Sequence, residues 1–412
     1  MLHVPGNKDH LKSHPDGRIH IIGAGPVGLM LAAMLQAPDG PPVRLYERRR
    51  EYTRTRMVRL GRHLVAESIE DYHSDNVDDE SVEAIFEAGE IESALAYRQL
   101  LSPELRELLQ QWTLGFCPLN AIEHALSSLI DSRPGSNVER AGAVESAEAA
   151  IDMLEPGDML VDCSGSRSVM RDFLVPNLDG EPAGQNTQRV RLEYALVVTF
   201  LYGQQYACNE YCKYFKNVEN ATFKFIPAVH RTYYDGAISH VTGIITISEE
   251  IYQQMPSRFD GEWLRINFPD VARSMDRFIE KVKEETNGEI VGDLSIIRIP
   301  LDLYRARNAT SLRCRTAFGH PLSGKPVFLL GDSAVGSPYF QSISLGFECA
   351  MYLANLINQR EMPADRMMER YEAHIYKQWM RVYMRTRMIK HNKDLLELVD
   401  SKLDLLAKLH VY

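Results

Sequence analysis

Cysteine is scarce and scattered. Of the six, Cys117, Cys163, Cys208, Cys212, Cys314 and Cys349, only Cys208 and Cys212 stand close, and no second pair or clustered histidine joins them. That spacing argues against a zinc site and against a disulfide framework, and points to free thiols in a reducing compartment. A basic excess is missing too. The formal net charge of −10 argues against nucleic acid or an anionic membrane surface as the main partner. Long apolar runs are absent: the longest, Ile21 to Ala37, is interrupted by Gly23, Gly25, Pro26 and Gly28, so no membrane span is expected. The polar stretch Met1 to Gly17 reads as neither signal peptide nor anchor, which makes the cytoplasm the expected location. What remains is an ordinary globular composition, 45% hydrophobic and 25% charged, over 412 residues, enough for one large core or several domains.

Against that background one stretch stands out. Arg18 to Ile22 is a β-branched run that ends abruptly in Gly23-Ala24-Gly25-Pro26-Val27-Gly28, and helix-forming residues follow from Leu29 to Leu35. Strand, glycine turn and helix in that order are the context a dinucleotide fingerprint requires. Gly23 allows the tight turn, Gly25 lets a pyrophosphate approach the backbone, and Gly28 lets the helix lie close to the sheet. A second strand, Val43 to Tyr46, ends in Glu47, which stands 24 positions after Gly23, near the spacing of a carboxylate that binds ribose hydroxyls. An α/β turn that holds nothing shares the glycines; the acid in register is what favours a nucleotide. Arg48, Arg49, Arg50, Arg54, Arg56, Arg59 and Arg62 follow. Some belong to a solvated face, and Arg48 and Arg59 are the candidates for phosphate contacts through planar donor forks.

Farther along, Ser102-Pro103 reads as a helix start and Leu119 to Leu126 as an amphipathic helix with His124 on its surface. Met159 to Ser168 is a buried strand running into a small-residue turn. Val190 to Leu201, Thr222 to Ile226, Ile238 to Ile247 and Leu294 to Ile299 read as strands of an inserted sheet, with helices between residues 258 and 285. Pro326 to Ala334 is again strand and turn, Leu345 to Ile357 is helical, and the part from Pro363 onward is almost continuous helix.

Three separated strand–turn segments, Gly23 to Gly28 with Glu47-Arg48, Asp162 to Arg171, and Gly331-Asp332-Ser333-Ala334 with Pro338, together resemble the group A FAD-dependent monooxygenases, the para-hydroxybenzoate hydroxylase type. The resemblance implies an α/β fold: a Rossmann-like FAD-binding domain with an inserted mixed β-sheet substrate domain and C-terminal helices. The expected divisions are 18–188 and 314–360 for the FAD-binding domain, 189–313 for the sheet domain and 361–412 for the helical segment. It implies FAD as cofactor, with Gly23, Gly25, Pro26, Val27, Gly28, Glu47, Arg48 and Arg59 at the adenosine diphosphate; Gly165 is a further cofactor-binding candidate, and so is Asn120, where Leu119 or Asn120 takes the place of the family's usual arginine or glutamine. Gly331 and Asp332 would meet the ribitol, and Pro338, Gln341, Ser342, Ile343 and Ser344 the isoalloxazine.

The resemblance is incomplete. Ser164-Gly165 replaces the family's Asp-Gly, with Asp162 two positions earlier; Val335 replaces a common histidine; and Gln341-Ser342-Ile343-Ser344 replaces Gln-Gly-x-Asn. No second Gly-x-Gly-x-x-Gly exists, so NAD(P)H would bind transiently or a partner reductase would deliver electrons. The expected activity is hydroxylation or epoxidation of a small aromatic or polyketide-like substrate by molecular oxygen through a flavin C4a-hydroperoxide, with Tyr202, Phe223, Phe225, Tyr233 and Tyr304 as pocket candidates. No residue stands out as a general base. The rivals are an FAD-dependent reductase of the geranylgeranyl-reductase type, which the Asp162 variant suits, and a catalytically altered flavoprotein. Trp112, Trp263 and Trp379 are too far apart for the Trp-x-Trp-x-Ile-Pro run of a tryptophan halogenase.

Overall fold

A computed structural model of the chain describes residues 17–37, 40–54, 57–68, 98, 101–114, 116–175, 186–203, 225–233, 238–286, 288–337, 342–359, 361–384 and 387. The Cys208/Cys212 pair, Phe223, Pro338 and Gln341 lie outside them. In chain order the strands are β1 (Ile19–Ile22), β2 (Val43–Tyr46), β3 (Met57–Arg59), β4 (Phe116–Pro118), β5 (Val138–Ala141), β6 (Met159–Asp162), β7 (Thr187–Tyr202), β8 (Phe225–Tyr233), β9 (Ile238–Ile247), β10 (Ile290–Ala306), β11 (Val327–Leu329) and β12 (Val335–Gly336). The helices used below are α1 (Pro26–Leu35), α2 (Pro103–Thr113), α3 (Leu119–Ser132) and α4 (Ser342–Asn358), with a further helix over 364–384.

The chain divides into two compact units, one of residues 189–303 and one of the remainder. In the larger unit β11-β6-β1-β2-β5 form a parallel sheet, in which Ile22 stands level with Tyr46 on one side and Asp162 on the other, and Asp162 with Leu329. The strands end together, so the segments that leave them emerge along one edge. Helix α1 is apolar nearly all round, burying Leu29, Met30, Leu31, Ala32, Ala33 and Leu35. An all-apolar helix has to be covered on every side, and α3 and α4 do this. Each fully buried leucine there contributes about 1.5–3 kcal/mol relative to exposure. Helix α2 starts as its sequence predicts, with the Leu105 N–H donating to Ser102 Oγ at 3.2 Å.

In the smaller unit β7–β9 and β8–β9 pair antiparallel. Leu196, Val198, Phe200 and Tyr202 recur with the strand period of two and pack with Val241, Ile245, Leu264 and Met275. Tyr202, a pocket candidate by sequence, is therefore a core residue. Residues 304–313, expected with the sheet, fall in the larger unit. There Tyr304 pairs with Gly336, and the Thr310 N–H donates to the Glu372 carboxylate at 2.7 Å.

Candidate functional site

Everything in the site belongs to the larger unit. At the end of β1 the chain turns at Gly23, whose φ of 99° lies in the left-handed region that a side chain would strain. Helix α1 then begins at Gly25 with no side-chain cap. A Cβ on Gly28 would stand 2.0 Å from the Gly23 carbonyl oxygen and 3.3 Å from Cys163 Cβ, so only glycine lets α1 approach β1 and β6 this closely. On Gly25 a Cβ would point between two guanidinium groups, 3.5 Å from Arg54 Nη2 and 3.8 Å from Arg49 Nη2. An uncapped helix N-terminus beside two arginine forks is a donor set for an anion.

Glu47 follows β2, and its carboxylate takes the Arg49 backbone N–H at 2.8 Å and the side chain at 3.2 and 3.1 Å. Burial pushes its pKa up, but Arg49's hydrogen bonds and charge outweigh that and hold it below the usual range. Arg48 is exposed, and the structure describes Arg59 only by its backbone, paired with Phe116. The arginines it brings to the turn are Arg49 and Arg54. Both also meet a residue that the sequence reading passed over: Glu123 on α3, whose Oε1 pairs with Arg54 Nη2 and lies 3.4 Å from Arg49 Nη2. Glu123 is fully buried, and its Oε2 has no hydrogen-bond partner among the described residues. Asn120, one turn earlier, donates its backbone N–H to the Arg54 carbonyl at 2.8 Å.

The segment after β6 is organised around Asp162, which is fully buried. Oδ1 accepts from the Ser164 N–H at 2.8 Å, and Oδ2 from the Met170 N–H at 2.9 Å. Ser164 and Ser168 donate their hydroxyls to it as well. The carboxylate is thus spent mainly on shaping its own loop, with Ser333 Oγ also within 3.4 Å of Oδ1. At the loop's crest the Gly165 N–H donates to Ser333 Oγ at 3.0 Å, tying this segment to the one after β11. Arg171 completes the tie, donating to the carbonyls of Ser333 and Asp332, both at 2.8 Å, with its guanidinium 5.2 Å above the Tyr304 ring. Tyr304 donates its hydroxyl to the same Asp332 carbonyl at 2.9 Å. The backbone beside Asp332 is fixed from two directions while its side chain stays half-buried.

Val27 joins the first segment to the third. A Cβ on Gly331 would lie 3.3 Å from the Val27 methyls, and one on Gly346 only 2.6 Å, so two glycines form the notch into which Val27 fits. Ser342, Ile343 and Ser344 make the first turn of α4; Ile343 is buried, and Ser344 Oγ accepts the Gly61 N–H at 3.0 Å. Below that turn Glu348 is buried with Arg381, Nη2 to Oε2 2.6 Å, and with His63 and Arg98 at 3.5 and 3.9 Å. Burial would raise the Glu348 pKa, but the neighbouring cations, Arg381 foremost, hold it well below the usual carboxylate range.

The structure thus brings together Gly23, Gly25, Pro26, Val27, Gly28, Gly165, Gly331, Asp332 and the first turn of α4 along one edge of the parallel sheet. No family model matches the chain, and no curated protein matches it in sequence. Solved structures do. The Diels-Alderase PyrE3 of pyrroindomycin biosynthesis aligns at a TM-score of 0.54 and 15% identity, over 93% of this chain and 76% of its own. The flavin-dependent halogenase CmlS aligns at 0.46 and 13%, over 90% and 62%. The oxygenase acting on 2-methyl-3-hydroxypyridine-5-carboxylic acid aligns at 0.45 and 12%, over 87% and 86%. The likeness to PyrE3 is one of fold alone. Among the described residues no cluster of His, Cys, Asp or Glu is arranged to hold a metal, and no helix is long and apolar enough to cross a membrane.

Proposed function

We propose that this protein is an FAD-dependent oxidoreductase, and within that kind a monooxygenase that hydroxylates or epoxidises a small aromatic or polyketide-like molecule, with NAD(P)H as transient reductant and molecular oxygen as co-substrate. The observation that supports the cofactor is the convergence of three glycine-bearing turns at the ends of β1, β6 and β11, locked by Val27 in the Gly331–Gly346 notch. Ligands of open α/β sheets lie at this edge of the strands. In this reading Gly25, the first N–H groups of α1, Arg49 and Arg54 hold the diphosphate, Glu47 takes ribose hydroxyls, and Asp332 takes ribitol hydroxyls. The bound flavin supplies hydride acceptance and oxygen activation. The chain's part is to orient it. Arg171 and Tyr304 keep the Asp332 backbone still, and the N-terminal end of α4 presents partial positive charge to the place where negative charge develops on reduction.

A second reading of the electron supply has its own support. The Asp162 carboxylate is consumed by its own loop and by Ser333, so it is not free to meet a pyridine nucleotide, and a partner reductase becomes the alternative source of electrons. The cofactor is tested on the purified full-length protein: a flavin absorption spectrum, as isolated or after reconstitution with FAD, is expected. A colourless protein that FAD does not reconstitute overturns the reading. Isotopic oxygen from O2 appearing in product separates a monooxygenase from a reductase. NAD(P)H oxidation by the protein alone, against oxidation only with added reductase, decides the electron source.

A further inference from the structure

Four charged side chains beside the glycine turn are balanced as they stand: Glu47 and Glu123 against Arg49 and Arg54. Their roles are unequal. Glu47 engages Arg49 through both carboxylate oxygens, at 2.8–3.2 Å. Glu123 offers both guanidinium groups a single oxygen, and its second oxygen is buried with no hydrogen-bond partner among the described residues. A carboxylate placed only to stabilise the fold would have both oxygens satisfied, since a buried acceptor left unmade is costly. Meanwhile the same Arg49 and Arg54 nitrogens border the open side of Gly25. They are therefore shared between an acid behind them and whatever enters in front.

We propose that Glu123 is a resident counter-ion of the nucleotide site, an affinity-setting residue against which an incoming diphosphate has to compete for Arg49 and Arg54. The inference rests on the reading that the Gly25 turn receives the diphosphate of FAD. When the site is empty, Glu123 keeps two guanidinium groups neutralised and positioned. When a diphosphate arrives, it adds negative charge to a cluster with none to spare, and the arginines divide their donors between phosphate and carboxylate. The buried Glu123 charge then opposes the ligand's charge through a medium that screens far less than water. Removing that charge while keeping the side chain's shape gives the cluster a surplus positive charge and strengthens its hold on phosphate.

The test uses the full-length protein freed of bound nucleotide, titrated calorimetrically with ADP and with adenosine, which lacks the diphosphate. Glu123→Gln is expected to raise the preference for ADP over adenosine by roughly tenfold, the scale of one weakly screened charge at this range, with adenosine affinity unchanged. A preference that is unchanged or lower overturns the proposal. Thermal melting confirms that the variant is folded. Should it not fold, Glu123→Asp keeps the buried charge but withdraws it by a methylene, and the preference is again expected to rise, by less; a flat or falling preference overturns the proposal there too. If the wild-type protein binds neither ADP nor FAD, the flavin reading itself fails. If it binds ADP but the preference does not rise, only the counter-ion role fails.

Discussion

His374 offers a test of the packing beneath α4. It lies on the helix over 364–384, buried, stacked on Tyr352 at 3.8 Å between ring centroids, with its Nε2 3.3 Å from Gln378 Nε2. Burial, with Arg381 and Arg98 nearby and only Glu348 opposing, pushes its pKa from 6.5 down to about 4. The folded protein therefore takes up this proton later than the unfolded chain does. The associated stability is fully present above the unfolded pKa and is lost as the pH falls from there towards 4. At pH 5 the loss amounts to about 2 kcal/mol. His63 and His20 are shifted down for the same leading reason, burial, and steepen the slope in the same direction. His374→Phe keeps an aromatic ring on Tyr352 and removes the titration. It leaves Gln378 short of a partner, a cost of about 1 kcal/mol at every pH. Urea unfolding followed by tryptophan fluorescence, to which Trp379 on the same helix contributes, should give a wild-type stability difference between pH 7 and pH 5 that shrinks by about 2 kcal/mol in the variant. Parallel pH profiles for the two proteins would refute the assignment of a buried, proton-resisting imidazole.

Gly28→Ala places a methyl 2.0 Å from the Gly23 carbonyl oxygen, so α1 has to lift from the sheet. A loss of about 1–3 kcal/mol in stability, as for other overpacked sites, is expected together with weakened ADP binding; a thermal melt and titration equal to wild type would show that the close approach is not needed. Burial pushes the Cys314 thiol up to about 11, and Cys349 shifts in the same direction. Alkylation at pH 8 with peptide mapping should therefore leave both unmodified in the folded protein and modify both in urea, and rapid native labelling of either would contradict the packing around them.

How much could be read from residues alone depended on how local the cause was. Gly23 and Gly28 were legible because each answers a steric demand within a few residues: a positive φ in one case, a carbonyl 2.0 Å away in the other. Strand β9 was legible end to end because β-branched residues fill it. That β6 lies between β11 and β1 was not, since this depends on partners more than a hundred residues apart. The arginines divide in the same way. Composition shows seven of them after β2, from which Arg48 and Arg59 are the phosphate candidates, but whether Arg48 or Arg49 turns back to the glycine turn depends on how the chain leaves the strand and on Glu123, far along the sequence.

Yet Glu123 and Glu348 did leave a mark in the sequence. On α3 the buried positions are Leu119, Ile122, Glu123, Leu126 and Ile130, one apolar stripe interrupted by one acid. On α4 the run from Ile343 to Ile357 is buried almost throughout, with Glu348 its single charge. An acid on an apolar stripe has to find cations, and here both find arginines brought from other segments. The two carboxylates occupy the two helices that pack on α1, and they differ in one respect. Glu348 meets arginines through both oxygens, Arg381 at both and Arg98 at Oε1, with His63 Nε2 3.5 Å from Oε2. Glu123 meets them through one. The first arrangement is closed and holds helices together; the second keeps two arginines beside Gly25 while leaving part of its own valence unspent. Where a buried acid is held by shared cations at the mouth of a glycine turn, its incomplete pairing is the feature that separates a ligand's competitor from a structural clasp.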